Sequence, residues 1–171
     1  MITTLIKFIA TYLVSFHSLS FKDVNNVTIN MSSFTNKKVM IVNIATNSNK
    51  VSQLAGLQQL KNLYNDSLVV IVFPSNSFGN ESRTNAQIKQ FFQTNYNSNF
   101  IIAEKTNVIN GNTNTVFDWL SKKNKNGDMD AVAGGDFEKF IIGKDGTIYG
   151  VFSSKISPTD PSIIATITST F

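Results

Sequence analysis

Apolar and polar positions alternate along this chain in a way that predicts strands followed by helices. Short apolar runs are typical of buried strands, and the stretches that follow them repeat with the helical period. In chain order these strand and helix segments are predicted at 39–45, 51–64, 68–73, 84–96, 100–102 and 113–121. Strands that alternate with helices pair in parallel through right-handed crossovers. The pattern therefore predicts an α/β domain with parallel pairing of its central strands.

Two hairpins flank this alternation and make the predicted sheet mixed. Their strands are predicted at 19–21, 27–29, 137–142 and 148–152. Asn25-Asn26 is the turn signal of the first hairpin, and Asp145-Gly146 is that of the second. Asp160 and Pro161 are typical of the cap and first residue of a helix, which we expect to end near Thr168.

The first sixteen residues are mostly apolar. Their polar positions share one helical face and are Thr3, Thr4, Lys7, Thr11 and Ser15. A retained amphipathic helix, a signal peptide with Lys7 in its n-region and a membrane anchor all fit this pattern, although Phe16-His17-Ser18 is a poor cleavage site. We therefore divide the chain into an N-terminal segment, 1–17, and a domain, 18–171. Residues 1–16 could contact a membrane surface, so we expect a cytoplasmic or membrane-associated protein, with export as the alternative.

Composition narrows the function classes. With 171 residues the chain is long enough for one domain with a substantial core. The net charge is +4 and the lysines do not cluster, so we expect no nucleic-acid partner. The chain contains no cysteine, which excludes disulfides, thiol catalysis and cysteine-based zinc sites.

Three motifs resemble those of the glutathione peroxidase family. Residues 42–49 read VNIATNSN and resemble the family's V-N-V-A-S-x-C-G. Residues 73–81 read FPSNSFGNE and resemble F-P-C-N-Q-F-G-x-Q, and residues 137–140 match the end of W-N-F-E-K-F. The resemblance runs from Ser18 to the C-terminus and implies a thioredoxin-like fold, a central mixed sheet flanked by helices, with the first hairpin added in front. The short 121–134 connection resembles that of the monomeric members, so we expect a monomer.

The same resemblance assigns the family's active-site positions. The peroxidatic cysteine or selenocysteine falls on Ser48, the tetrad glutamine on Glu81, the tryptophan on Gly135 and the asparagine on Asp136. The resolving cysteine falls on Gln93. A serine hydroxyl cannot pass reversibly through a sulfenic acid, and two carboxylates would oppose an anionic nucleophile. We therefore expect a protein related by resemblance to oxidative stress but without thiol peroxidase activity.

Other chemistry at this site is the alternative. A remodelled cluster of Ser48, Glu81 and Asp136 could serve a peroxidase, another oxidoreductase or a hydrolase. A serine hydrolase also needs a histidine base, and nothing local pairs His17, the single histidine, with Ser48. Asn47 and Ser48 are residue types that cap helices, so we predict a capping role and a helix N-terminus free for a small anion or a protein partner.

No cofactor or metal is predicted. Residues Asn124, Asn126, Asp128 and Asp130 alternate like calcium ligands, yet neither register supplies both the glycine and the final acid of an EF-hand. We interpret 124–135 as a solvated loop, with weak cation binding as the alternative. Trp119 falls on the apolar face of the predicted helix 113–121, so core packing explains it.

Overall fold

The computed structural model describes residues 13–96, 100–109 and 114–170. The strands are β1 (Ser20–Lys22), β2 (Thr28–Asn30), β3 (Lys38–Ile44), β4 (Leu68–Pro74), β5 (Ile101–Ile102), β6 (Lys139–Ile142) and β7 (Ile148–Phe152). β1 and β2 form a separate hairpin, and the other five form one sheet in the order β5-β4-β3-β6-β7. β3, β4 and β5 run parallel, whereas β6 and β7 are antiparallel to their neighbours. The predicted mixed sheet is confirmed.

The two central strands are buried on both faces. β3 pairs with β4 along its whole length, from Lys38 opposite Leu68 to Ile44 opposite Pro74, and every residue of both strands is buried. Strands covered on both faces read as continuous apolar runs, which is why the sequence pattern identified them.

Helices cover both faces of the sheet. They are α1 (Gln53–Leu63), α2 (Asn85–Asn95), α3 (Thr115–Leu120), α4 (Lys123–Asn126) and α5 (Pro161–Thr168), with 3-10 helices at Phe16–Ser18 and Met31–Phe34. Val39 and Ile41 of β3 join a core with α3 and the β1-β2 hairpin. Met40 and Val42 join the opposite core with α1, α2 and α5. This alternation is the period-2 pattern of a strand, so adjacent residues of β3 serve different cores.

The predicted solvated loop at 124–135 is wrong in its first part. Residues 123–126 form α4, which ends at Gly127 with a φ of 84°. The Asn126 amide donates to the carbonyls of Trp119 and Met129, each at 2.8 Å. Asp128 accepts from the Ile148 backbone N–H at 2.9 Å. These polar side chains hold backbone groups, which is a structural alternative to cation binding that the spacing alone did not distinguish.

The described end of the N-terminal segment is fixed to the domain. Residues 13–15 are not helical, so the alternative of an amphipathic helix is wrong for these residues, and residues 1–12 lie outside the described part. In the part of the chain that the structure describes, no helix has the length and apolar character needed to cross a bilayer. The Val14 N–H donates to the Lys125 carbonyl at 2.7 Å, and the Trp119 indole N–H donates to the Val14 carbonyl at 2.6 Å. Phe16 is buried, with its ring centroid 5.4 Å from that of Trp119. Trp119 therefore packs in the core, as predicted, and also binds the chain that precedes it.

Candidate functional site

Ser48 lies in the turn between β3 and α1. It is 4% exposed, and its hydroxyl accepts from the Lys50 backbone N–H at 3.3 Å. α1 begins later, at Gln53, with Ser52 as its N-cap residue. The predicted capping role of Ser48 is therefore wrong for the helix itself, because its hydroxyl closes a turn of the connection four residues earlier.

The amide groups of this connection are largely used by the backbone. The Val51 N–H donates to the Ser48 carbonyl at 3.1 Å, and the Gln53 N–H donates to the Lys50 carbonyl at 2.9 Å. The Leu54 N–H donates to the Val51 carbonyl at 3.0 Å. These i to i+3 bonds satisfy donors that an ordinary helix N-terminus offers to a ligand.

Glu81 is fully buried and its carboxylate is fully hydrogen-bonded. Oε2 accepts from the Thr46 backbone N–H at 2.7 Å, and Oε1 accepts from the Thr46 hydroxyl at 2.9 Å and from the Arg83 backbone N–H at 3.0 Å. A carboxylate with three donors tolerates burial because each bond replaces hydration. Glu81 therefore connects the end of β3 to the chain that enters α2.

Arg83 reinforces this connection. Its Nη1 donates to the Thr46 hydroxyl at 2.5 Å and also to the Asn47 side-chain oxygen. The guanidinium lies over the Phe91 ring, 5.1 Å from the centroid, in a cation–π arrangement. The predicted capping role of Asn47 is wrong, because its side chain instead binds Arg83 and donates to the Ser82 hydroxyl at 2.9 Å.

Asp136 is buried like Glu81 but is less completely bonded. It is 4% exposed, and its Oδ2 accepts from the Asn80 amide at 2.7 Å. Its Oδ1 is buried and has no hydrogen-bond partner among the described residues. Asn80 also accepts from the Asn47 backbone N–H at 3.2 Å, so Asp136, Glu81 and the turn that holds Ser48 lie together at one end of the sheet.

Gly135 leaves room that two polar side chains border. A Cβ atom at this position would lie 3.9 Å from the Ser154 hydroxyl and 4.0 Å from Lys50 Nζ. Lys50 Nζ donates to that hydroxyl at 2.5 Å. The sequence did not predict a role for Lys50 or Ser154, because no motif includes them and because Ser154 lies after β7, far from Lys50 in the chain.

A buried lysine completes this end of the sheet. Lys139 is 0% exposed, and its Nζ donates to the Ile156 carbonyl at 2.6 Å. Burial, and then the neighbouring charge of Lys50, lower the pKa of Lys139 from 10.5 to about 8, while Glu138 acts in the opposite direction.

Gln93 and His17 lie on other parts of the fold. Gln93 is exposed on α2 and lines a cavity of about 470 Å³ together with Phe92 and Tyr96. His17 lies beside Gly146, where a Cβ atom would be 3.2 Å from His17 Nδ1. The turn that contains Gly146 follows Ile142, and Ile142 pairs with Val39 near the start of β3. Ser48 lies beyond the other end of β3, which is Ile44. A seven-residue strand spans about 20 Å, so His17 cannot act as a base for Ser48.

Comparison with known proteins identifies the family. The family model described as Glutathione peroxidase matches residues 16–121. The chain belongs to the glutathione peroxidase family. It is 30% identical over 149 residues to a glutathione peroxidase of Lactococcus lactis, with 86% of this chain and 94% of that protein covered. It is 33% identical over 145 residues to the glutathione peroxidase-like peroxiredoxin GPX5 of Chlamydomonas reinhardtii, with 84% and 89% covered.

Solved structures confirm the thioredoxin-like fold predicted from the motifs. The apo crystal structure of Trgpx superimposes with a TM-score of 0.68 at 27% identity, and covers 92% of this chain and 98% of that one. A thiol:disulfide interchange protein of the thioredoxin family from Chlorobium tepidum gives a TM-score of 0.64 at 15% identity, with 91% and 97% covered. The glutathione peroxidase-like chain thus keeps the fold of a redox family without any cysteine.

Proposed function

We propose that this protein is a non-catalytic glutathione peroxidase homologue that binds a small anion or a protein partner at the former active-site end of the sheet. The proposal is carried by Ser48, which the motif resemblance assigns to the peroxidatic position. Its hydroxyl accepts from a backbone N–H, and no basic side chain of the described residues binds it. A serine oxygen cannot accept an oxygen atom from a peroxide and return it to a thiol, so the redox cycle has no starting group.

The alternative, an enzyme that uses Ser48, Glu81 and Asp136 together, receives less support from the geometry. The Glu81 carboxylate accepts its hydrogen bonds from Thr46 and from the Arg83 backbone N–H. The bonded oxygen of Asp136 accepts from Asn80. A general base must reach the proton that it removes, and neither carboxylate has a hydrogen bond with Ser48.

Positive charge supports anion binding at this end. Lys50 reaches the space beside Gly135, and the pKa of Lys139 is lowered partly by the charge of Lys50. An anion beside Lys50 would reduce the repulsion between the Lys50 and Lys139 charges, whereas the buried carboxylates of Glu81 and Asp136 act against it. Because the backbone amides of the turn are largely used, we assign the main contact to the Lys50 side chain instead of the helix N-terminus.

The activity test compares wild type with Ser48→Cys and with a fourfold variant carrying Ser48→Cys, Glu81→Gln, Gly135→Trp and Asp136→Asn. Each is assayed for hydrogen peroxide consumption with thioredoxin and with glutathione. We expect no turnover above a boiled control in wild type, and no family-like turnover from Ser48→Cys alone, because Glu81 and Asp136 oppose ionisation of the new thiol and no tetrad amides position the peroxide.

Wild-type turnover would overturn the non-catalytic assignment. Recovery in the fourfold variant alone would show that all four positions account for the loss. Thermal melts of each variant are needed beside the assay, since the indole of Gly135→Trp enters the space that Ser154 and Lys50 border.

The binding half of the proposal is tested with inorganic phosphate. Calorimetric titration of wild type should show saturable binding that Lys50→Met weakens, whereas Lys155→Met, which removes an exposed lysine, should not change it. Equal phosphate binding by wild type and Lys50→Met would reject Lys50 as the anion ligand.

A further inference from the structure

A cavity of about 470 Å³ lies between the β1-β2 hairpin, α2 and the outer strand β5. We call it the hairpin cavity. Its volume falls within the range of about 300–1,000 Å³ in which proteins bind small molecules. Ser48, Lys50, Glu81 and Asp136 do not line it, so it is separate from the site described above.

One wall of the hairpin cavity is aromatic and aliphatic. The Phe92 ring centroid lies 6.0 Å from that of Tyr96 and 6.1 Å from that of Phe100. Ile101 and Ile102 of β5 line the same cavity and are only half-buried. Covering apolar surface that the fold itself leaves accessible is favourable, and aromatic rings pack well against further rings. The wall therefore favours an aromatic ligand.

The polar side of the hairpin cavity carries two opposite charges. Asp23 and Lys89 are the charged side chains among its described lining residues. Lys89 Nζ donates to the Asn25 side-chain oxygen at 2.7 Å, which joins α2 to the turn of the hairpin.

Both of these charges are present at neutral pH. Burial raises the pKa of Asp23, but hydrogen bonds from Val27 and Asn25 and the charge of Lys89 outweigh burial and hold this pKa below its usual value. A charged ligand would be attracted by one of the two side chains and repelled by the other. The polar side therefore favours a ligand without net charge.

We propose that the hairpin cavity binds an uncharged two-ring aromatic molecule that carries a hydrogen-bonding substituent. An apolar cavity of about 150 Å³ already holds one benzene ring, so the hairpin cavity has room for two fused rings. The exposed amide of Gln93 also lines the cavity and can both donate to and accept from the substituent. This binding site does not depend on the function of the site around Ser48.

The test is calorimetric titration of the full chain with three indole derivatives that differ in charge. Indole-3-acetamide is neutral, indole-3-acetate is an anion and tryptamine is a cation at pH 7. We expect wild type to bind indole-3-acetamide most tightly. Lys89→Met leaves the Asp23 charge unbalanced and should shift the preference towards tryptamine by about threefold, whereas Asp23→Asn should shift it towards indole-3-acetate by a similar factor.

Gln93→Trp locates the binding site, because its indole would occupy the cavity and should remove saturable binding of indole-3-acetamide. Gln90→Trp is the matched control, since it makes the same change at an exposed position of α2 outside the cavity and should bind like wild type. Thermal melts show whether each variant is folded, and the two charge variants decide if Gln93→Trp is not.

Absence of saturable binding to wild type would overturn the proposal, and so would undiminished binding by folded Gln93→Trp. Tighter binding of either charged derivative to wild type would also overturn it, as would a preference that neither Lys89→Met nor Asp23→Asn changes.

Discussion

Two buried carboxylates, Glu81 and Asp136, fall at positions that the motif resemblance assigns to neutral amides, and the protein accommodates them differently. Glu81 receives three hydrogen bonds and connects β3 to the start of α2. Asp136 receives one, from Asn80, and its second oxygen is buried without a partner among the described residues. Glu81 is thus the centre of a hydrogen-bond network between β3 and α2. Near β6, the buried charged groups of Asp136 and Lys139 each have one hydrogen bond among the described residues.

Two buried carboxylates can therefore differ in how well the surrounding structure satisfies them with hydrogen bonds. Replacing an amide with a carboxylate adds acceptors and removes donors. Around Glu81 every acceptor has found a backbone or hydroxyl donor. Oδ1 of Asp136 has no donor among the described residues, so hydrogen bonds offset only part of the free-energy cost of burying this carboxylate.

The largest effect is expected from Glu81→Ala. It would leave the Thr46 and Arg83 backbone N–H groups without their acceptor in a buried site, so we expect a loss of about 3 kcal/mol in the free energy of unfolding. Glu81→Gln keeps one acceptor and should lose about 1–2 kcal/mol. Urea unfolding monitored by circular dichroism measures both. Glu104→Ala, at a half-buried carboxylate, serves as the control. If Glu81→Ala melts like that control, the network does not stabilise the fold.

A second effect concerns Lys139 and pH. Its folded pKa of about 8 lies below its ordinary value of 10.5, so the unfolded state binds more protons between these values. The loss of stability caused by burying the Lys139 ammonium is therefore complete below pH 8 and disappears as the pH rises towards 10.5. We expect the stability of wild type relative to Lys139→Met to rise by about 2 kcal/mol between pH 7 and pH 10.

Lys50→Met provides the matched control for Lys139. Without the neighbouring charge the pKa of Lys139 should be lowered less, so the rise in stability should begin at a higher pH. Parallel stability curves for wild type and Lys139→Met would show that the Lys139 ammonium is not destabilised by burial.

The smallest effect is expected from Asp136→Asn. The new side chain can still accept from Asn80, and it replaces the unpartnered carboxylate oxygen and its charge with a neutral NH2 group. We expect a free energy of unfolding that is unchanged or higher by up to about 1 kcal/mol. Glu81→Gln also replaces a carboxylate with an amide. The difference between the two changes in the free energy of unfolding therefore measures how much more the Glu81 carboxylate stabilises the fold than the Asp136 carboxylate does. Equal losses would mean that both carboxylates are equally integrated.

The sequence predicted the strands, the main helices and the family because these depend on local period and on short motifs. β3 and β4 read as continuous apolar runs, and Asp160 caps α5 through the Ser162 N–H at 2.9 Å, as its position suggested. The site was less predictable. Thr46, Arg83 and Lys50 acquire their roles from contacts across 35 to 104 positions of the chain, and no local pattern encodes such contacts.

Asn43 holds the backbone of residues 135–138 through bonds that need no particular side chain there. Within β3, its side chain donates to the Gly135 carbonyl at 2.8 Å and accepts from the Glu138 N–H at 3.2 Å. Its own carbonyl accepts from the Phe137 N–H at 2.7 Å. The backbone that enters β6 is therefore positioned by main-chain groups of residues 135–138. The side chains at 135 and 136 take no part in these three bonds, so substitutions there leave the bonds available.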